Sequence, residues 1–460
     1  MATVPSPGTT GHDTIVPGTG GDTLYGDPYF TGPGGLGPLI AGYGGNDILT
    51  ATGIDNELLG DADTISITGQ GGNDVLSAAG NSNDLIGDAS RMSGNARGGH
   101  DTLSATGNSN NLIGDAVLIL GDARGGNDTL SVTGIGNQLF GDAAQSMSGN
   151  AYGGNDSLNA SGGISNRLYG DTPAHMSVNA RGGNDTLNAS GDGCVLVGDS
   201  GFIMSGNARG GNDKLGAAGS NGRLVGDALD DMSDSARGGN DELGAAGNNN
   251  RLYGDVFDNM FGSAIGGNDV LNAMGAGNHL FGDAGGGMFG GARGGNDVLT
   301  VSSTAGQSSD LYGDAREMAG AAVGGNDRLI GGTGNDLIVG DALIAGPDAR
   351  GGNDQLWGDA KGASAGGADT FVFAGFIGKD VVNDFRPGEG DKLQLNGYTT
   401  ASGYALTLDD VLDLSISVVG SKTVIDIGAS LGGPANVNTI TLAKFTGTLD
   451  DTNVVFTDVS

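Results

Sequence analysis

The tetrad Gly-Gly-Asn-Asp begins at Gly44 and returns at Gly71, Gly98, Gly125, Gly153, Gly182, Gly210, Gly238, Gly266, Gly294, Gly324 and Gly351, with His100 in place of Asn in one copy. Twelve copies whose first glycines span 307 residues give a mean period of about 28. Self-similarity at a fixed period of this length marks a repeat architecture, in which each unit needs its neighbours to bury an apolar face. A second motif, apolar-x-Gly-Asp, interleaves with the first and ends at Asp61, Asp88, Asp115, Asp142, Asp171, Asp199, Asp227, Asp255, Asp283, Asp314 and Asp341. Most intervals between the two kinds of aspartate are 13 or 14 residues.

One unit runs from Gly98 to Arg124 as three segments of nine residues, GGHDTLSAT, GNSNNLIGD and AVLILGDAR. In the first two, Leu103 and Leu112 lie between polar neighbours, the alternation of a short half-buried strand. Glycines precede each strand and permit turns with positive φ. Stacking successive units predicts a parallel coil with a column of leucines inside, each coil adding about 4.8 Å. The third segment carries a central apolar residue, usually Met (Met92, Met147, Met176, Met204, Met232, Met260, Met288, Met318). Its nearly constant length favours an ordered third side over a loop, with the methionines as an interior ladder. The expected fold is all-β: a right-handed parallel β-roll or β-helix solenoid of about twelve coils of 27–30 residues, closed by a C-terminal β cap.

Identical residues at one coil position stack one strand spacing apart. A column of carboxylates that close is strongly repulsive unless protonated or neutralised. Hard cations with oxygen ligands neutralise it, and calcium takes six to eight oxygens in flexible geometry. Metal candidates are therefore the tetrad aspartates Asp47, Asp74, Asp101, Asp128, Asp156, Asp185, Asp213, Asp241, Asp269, Asp297, Asp327 and Asp354. Pairing with arginine fails on count, because Tyr43, Gln70, Tyr152, Ile265 and Val323 stand where other units have Arg before the tetrad. The Gly-Asp aspartates, from Asp61 to Asp341 with Asp359 added, form a second column that binds metal or pairs with Arg. At the matching slot of the second strand the column is mostly amide: Asn56, Asn83, Asn110, Asn137, Asn166, Cys194, Gly222, Asn250, Asn278, Ser309 and Asp336. Stacked Asn side chains hydrogen-bond along such a column without metal. This edge is expected to hold little calcium except near Asp336.

These residues resemble the RTX (repeats-in-toxin) family, whose nonapeptide is G-G-x-G-x-D-x-U-x with U a large apolar residue. Gly331-Gly332-Thr333-Gly334-Asn335-Asp336-Leu337-Ile338-Val339 matches its spacing, and Gly8–Val16 and Gly18–Gly26 are weaker copies with Asp13 and Asp22. From about Gly366 glycine thins, and the segment around Asp369 looks like the terminal part of RTX proteases and lipases. The resemblance implies calcium in the turns, folding on meeting extracellular calcium, and type I secretion through an uncleaved C-terminal signal, here Val454–Ser460. It adds Asp13, Asp22, Asp336 and Asp369 to the metal candidates. The family's nonads repeat in pairs, whereas these units carry a third segment. The implied organisation is an N-terminal segment over 1–43, a calcium-binding solenoid over 44–365, and a cap with secretion signal over 366–460.

Charge and composition narrow the function. The 20 Lys and Arg against 54 Asp and Glu give a net charge of −34, which repels nucleic acid and anionic lipid and favours cations. Glycine is 95 of 460 residues and aromatics are 5%, too few for glycan platforms throughout. Cys194 is the single cysteine, so neither an intrachain disulfide nor a cysteine-based zinc cluster forms. The opening MATVPSPGTT lacks the pattern of a standard secretory signal, and no apolar run is long enough for a membrane helix. There is no H-E-x-x-H, the four histidines are isolated, and there is no G-x-S-x-G. The expected role is a non-catalytic, secreted, calcium-binding structural subunit of a filament, matrix or surface layer, forming a homo-oligomer or polymer. The alternatives are an adhesin that binds a cell-surface glycan and, behind it, a polysaccharide-modifying β-helix enzyme.

Overall fold

The computed structural model describes residues 6–7, 13–15, 20–26, 39–40, 42–302, 307–362, 366–398, 407, 416–430 and 436–457. Contacts divide the chain into two compact units, Met1–Glu242 and Leu243–Ser460. Each is an all-β parallel solenoid, and together they hold about twelve turns, one per tetrad.

A turn of the first unit has three sides. Thr102–Thr106 forms the first, Asn111–Ile113 the second and Ala116–Gly121 the third. Each pairs in parallel with the same side of the next turn, matching Leu103 with Leu130, Leu112 with Leu139 and Ile119 with Met147. The alternation in Thr-Leu-Ser-Ala-Thr buries Leu103 and Ala105 and leaves Thr102 and Thr106 outside. Leu103, Leu112 and Ile119 are fully buried, so each turn brings one large apolar side chain per side into the core. Each such burial contributes about 2 kcal/mol. The third segment is an ordered side. Ala62–Ile65, Ala89–Met92, Ala116–Gly121, Ala143–Gly149 and His175–Val178 pair in one parallel sheet, and single bridges between Met176, Met204 and Met232 extend it. Those methionines, with Met92 and Met147, are completely buried, which makes them the interior ladder.

The second unit repeats the pattern, with Val270–Met274 beside Val298–Ser302 on the first side and Arg251–Tyr253 beside His279–Phe281 on the second. Parallel pairing carries on past Gly366. Thr370–Ala374 lies on Leu337–Val339, Lys379–Val382 beside Gln355–Trp357, and Lys392–Asn396 on Thr370–Ala374. Antiparallel pairing enters with Ile416–Val419, Lys422–Asp426 and Thr439–Ala443. Here aromatics replace leucine as filler, and Phe385 packs edge-on against both Phe371 and Phe445.

The glycines divide into two kinds. Gly80, Gly107 and Gly134 have φ of 142°, 127° and 125° and turn the chain from the first side to the second. The tetrad and Gly-Asp glycines of these turns do not have positive φ; they are glycine because other atoms lie where a Cβ would be. A Cβ on Gly87 would meet the Gly114 carbonyl oxygen at 1.8 Å and Asp101 Oδ2 at 2.1 Å. At the chain start, Thr14–Ile15 and Thr23–Tyr25 pair with the first full turn. Much of the two N-terminal nonads, Pro28, Pro33, Pro38 and residues 458–460 lie outside the described residues. No helix among the described residues is long and apolar enough to cross a membrane.

Candidate metal centre

The tetrad corner and the Gly-Asp corner of one turn face each other, and their aspartates point inward. Within each unit, a tetrad aspartate places Oδ1 on the backbone N–H of its counterpart one turn earlier. The N–H of Asp101 donates to Asp128 at 2.7 Å, that of Asp128 to Asp156 at 2.7 Å and that of Asp156 to Asp185 at 2.6 Å. The other oxygen, Oδ2, is buried and has no hydrogen-bond partner in Asp101, Asp128, Asp156, Asp185 and Asp213, nor in Asp297, Asp327 and Asp354 of the second unit. The Gly-Asp aspartates reach into the tetrad loop. Gly126 N–H donates to Asp115 at 2.7 Å, Gly154 N–H to Asp142 at 2.7 Å and Gly295 N–H to Asp283 at 2.7 Å. They too keep a buried Oδ2 without a partner in Asp115, Asp142, Asp171, Asp199, Asp283 and Asp314.

The two columns are halves of one site. Asp101 feels the charges of Asp88 from the second column as well as Asp128 and Asp74 from its own. In the second unit, one oxygen each of Asp341, Asp354 and Asp380 lie within 4.8 Å of one another, all three residues buried. At that separation two bare carboxylates repel by roughly 3 kcal/mol at an effective dielectric constant of about 20. Burial first and neighbouring carboxylates second push Asp101, Asp115, Asp156, Asp171 and Asp297 well above the ordinary carboxylate range. Burial pushes Asp88 up to about 6 although the Gly99 N–H donates to it, and pushes Asp213 and Asp354 up to about 7. The columns are therefore neutralised by protons or by a cation. Oxygen-only donors, buried and otherwise unpartnered, fit a hard divalent ion such as calcium.

The remaining candidates fall into place around these columns. Asp13 heads the tetrad column, its N–H donating to Asp47 at 2.6 Å, and Asp22 heads the amide column, its N–H donating to Asn56 at 3.2 Å. Asp47, Asp74 and Asp241, and Asp269 in the second unit, are buried at tetrad positions. Asp61, Asp227 and Asp255 are buried at Gly-Asp positions, and each accepts from a tetrad-loop N–H. Asp336 and Asp369 lie on the amide edge. There Ser309 N–H donates to Asp336 at 2.8 Å and Asp336 N–H to Asp369 at 2.8 Å. Burial pushes Asp336 up to about 6 and Asp369 up to about 8. Asp359 is the second-column member that pairs with arginine, accepting from Arg386 Nη1 at 2.9 Å.

The amide column is a hydrogen-bonded ladder. Asn56 Nδ2 donates to Asn83 Oδ1 at 2.8 Å and Asn83 Nδ2 to Asn110 Oδ1 at 3.0 Å. Cys194 fills one of its slots and is buried.

Sequence reasoning does not single out Asp380, Asp384 or Asp391. Asp380 continues the tetrad column, accepting from Asp354 N–H at 2.9 Å, and Asp391 continues the acidic stretch of the amide edge, accepting from Asp369 N–H at 3.0 Å. Asp384 accepts from Gly358 N–H at 2.9 Å. For Asp380 and Asp391 the signal is present as Asp-x-apolar after a glycine, in Gly378-Lys379-Asp380-Val381-Val382 and Gly390-Asp391-Lys392-Leu393. The asparagine of the tetrad forms a further, exposed ladder. Asn184 N–H donates to Asn155 Oδ1 at 2.8 Å, and His100 keeps the pattern by accepting at Nδ1 from Asn127 N–H at 2.6 Å.

Comparison of the chain with protein-family models, with curated proteins and with solved structures finds no match.

Proposed function

We propose that this protein is a secreted calcium-binding solenoid of the RTX type, folding when calcium fills its two facing carboxylate columns and serving as a non-catalytic extracellular structural subunit. The observation that carries the calcium reading is the row of buried, unpartnered Oδ2 atoms aimed between the two corners, Asp101 through Asp213 from one side and Asp115 through Asp199 from the other. Buried carboxylates without partners cost several kcal/mol each, and only bound cations or protons remove that cost. The tetrad and Gly-Asp carboxylates between Asp47 and Asp341 recur from turn to turn, so they set no single turn apart as a reaction centre. That repetition supports a structural role. Export and assembly outside the cell follow from the resemblance and from the need for a calcium-rich compartment. The secretion signal and the self-assembling filament, matrix or surface-layer role belong to this same reading.

The test is circular dichroism and light scattering of the purified chain in chelator and then in calcium. The expected result is coil in chelator, β structure on adding calcium at several ions per chain, and growth in mass after folding. Full β structure in excess chelator at neutral pH would overturn calcium-dependent folding. Strictly monomeric protein at high concentration in calcium would overturn the assembly role alone.

A further inference from the structure

In the first unit the residues before each tetrad read Asn95-Ala96-Arg97, Asp122-Ala123-Arg124, Asn150-Ala151-Tyr152, Asn179-Ala180-Arg181 and Asn207-Ala208-Arg209. The alternation buries each alanine completely and sends both of its neighbours outward. Parallel bridges then stack the third residue of each triplet from turn to turn, Arg97 on Arg124, Arg124 on Tyr152, Tyr152 on Arg181 and Arg181 on Arg209. A cationic row and a row of four amides and one carboxylate, Asp122, thus run side by side along one face. Between them lies an open groove of about 600 Å³.

The two rows differ in how they are satisfied. The amide row is tied to itself: Asn150 Nδ2 donates to Asp122 at 2.7 Å, Asn179 Nδ2 to Asn150 at 3.0 Å and Asn207 Nδ2 to Asn179 at 3.1 Å. The guanidinium groups of Arg97, Arg124, Arg181 and Arg209 make no ion pair among the described residues, in a chain with 54 acidic side chains. Like charges one strand spacing apart repel, as the aspartates do. Tyr152 relieves this in part by lying between Arg124 at 4.7 Å and Arg181 at 5.3 Å. The row stays cationic and exposed.

We propose that this groove binds a linear acidic polysaccharide, its carboxylates taken by Arg97, Arg124, Arg181 and Arg209. A guanidinium fork matches a carboxylate bidentately. The turns lie about 4.8 Å apart, on the scale of one pyranose ring, so an extended polyuronate spans several turns of the row. The polar amide row offers carbonyls and N–H groups to sugar hydroxyls. A single-stranded nucleic acid would want an aromatic under base after base, whereas Tyr43 and Tyr152 stand four turns apart in this column.

The experiment is calorimetry on the calcium-loaded full chain with a soluble hexauronate, its carboxyl-reduced neutral counterpart and single-stranded DNA of equal charge. The comparison protein is Arg124→Gln/Arg181→Gln, both positions being exposed, with circular dichroism to confirm that it folds. The expected result is binding of the hexauronate that weakens with salt, at least tenfold loss in the double variant, and no binding of the reduced sugar. Equal hexauronate binding by the variant would mean that calcium on the aspartates bridges the sugar, and would overturn the arginine site. Equal binding of the reduced sugar, or tighter binding of the DNA, would overturn the acidic-glycan assignment. Failure of every ligand to bind would overturn the proposal outright.

Discussion

Asp128 holds the backbone N–H of Asp101 with one carboxylate oxygen, at 2.7 Å, and leaves the other buried without a partner. One side chain thus does two jobs. Oδ1 ties a turn to its neighbour whatever the metal content. Oδ2 makes that tie conditional, because a buried bare oxygen favours the fold only when a proton or a cation meets it. The fold and the ion sites cannot be separated in such a molecule, and its stability should respond to calcium and to pH together.

In chelator, stability should fall as pH rises. The unfolded carboxyls titrate near 3.9, whereas burial raises Asp88 to about 6 and Asp213 and Asp354 to about 7 in the fold. The folded state therefore binds more protons between about pH 4 and pH 7, and stability falls with pH across that window. The contribution is fully present below about pH 4 and lost as pH passes the folded values. Calcium should reverse the trend, since it competes with protons for the same oxygens. Denaturant melts at pH 4.5 and 7.5, each in chelator and in calcium, check this. Metal-free stability that is flat or rises with pH would show that the columns do not carry the load assigned to them.

Asn166→Ala should destabilise by about 2 kcal/mol, in calcium at neutral pH and in chelator at pH 4.5 alike. Asn166 Oδ1 accepts from Asn137 N–H at 2.9 Å, and its Nδ2 donates to the Gly134 and Gly162 carbonyls at 3.1 and 3.2 Å. The Asn137 N–H is buried and is stranded by the substitution, at about 1–3 kcal/mol, whereas the Gly134 and Gly162 carbonyls are partly exposed and turn to water. Equal losses in the two conditions, read from urea midpoints, would separate the amide ladder from the ion columns. A loss seen only in calcium would place metal on this edge.

Much of this was legible because the repeat exposes its own geometry. The leucine alternation around Leu103 and Leu112 marks two sides of the turn, and the constant third segment around Met92 and Met147 marks the third. The asparagine ladder was legible from the slot that holds Asn83 and Asn110. The convergence of the two aspartate columns was not, because Asp101 and Asp88 are 13 residues apart in sequence and only the corner angles bring them into one field. Nor did spacing reveal why Gly87 is glycine: its reason is the oxygen of Asp101 across the interior, not its own φ. Asp380 escaped notice because its turn has Gly378-Lys379 where the earlier ones have Gly-Asn.

Gly87→Ala should cost about 3 kcal/mol or more, which for overpacking is at the upper end. The new methyl would meet backbone oxygen at 1.8 Å and carboxylate oxygen at 2.1 Å, and neither can retreat without breaking the turn-to-turn register. Gly388→Ala is the control, since nothing lies within 4 Å of its Cβ position. Thermal melts in calcium should show a large drop for the first and little change for the second. Equal tolerance at both positions would mean that the corners are looser than the contacts around Gly87 imply.

Asp185→Asn should change sign with calcium. Its Oδ1 takes the N–H of Asp156 at 2.6 Å, and an amide oxygen can keep that bond. Its Oδ2 is buried without a partner, and its carboxyl is held well above the usual range by burial and by Asp213 and Asp142. In chelator the neutral amide removes one member of a repulsive column, so the variant should hold its fold to a higher pH than the parent, a gain on the order of 1 kcal/mol at the parent's unfolding pH, the worth of about one pKa unit. In calcium the same change removes a charged oxygen ligand shared between turns, so bound calcium should fall by about one ion and stability should drop below the parent. Calcium titration by calorimetry, urea melts in calcium and a pH titration of the fold in chelator give the two signs. A variant less stable than the parent in chelator as well would mean that Asp185 contributes through local packing rather than through its charge. An unchanged ion count would remove it from the metal site.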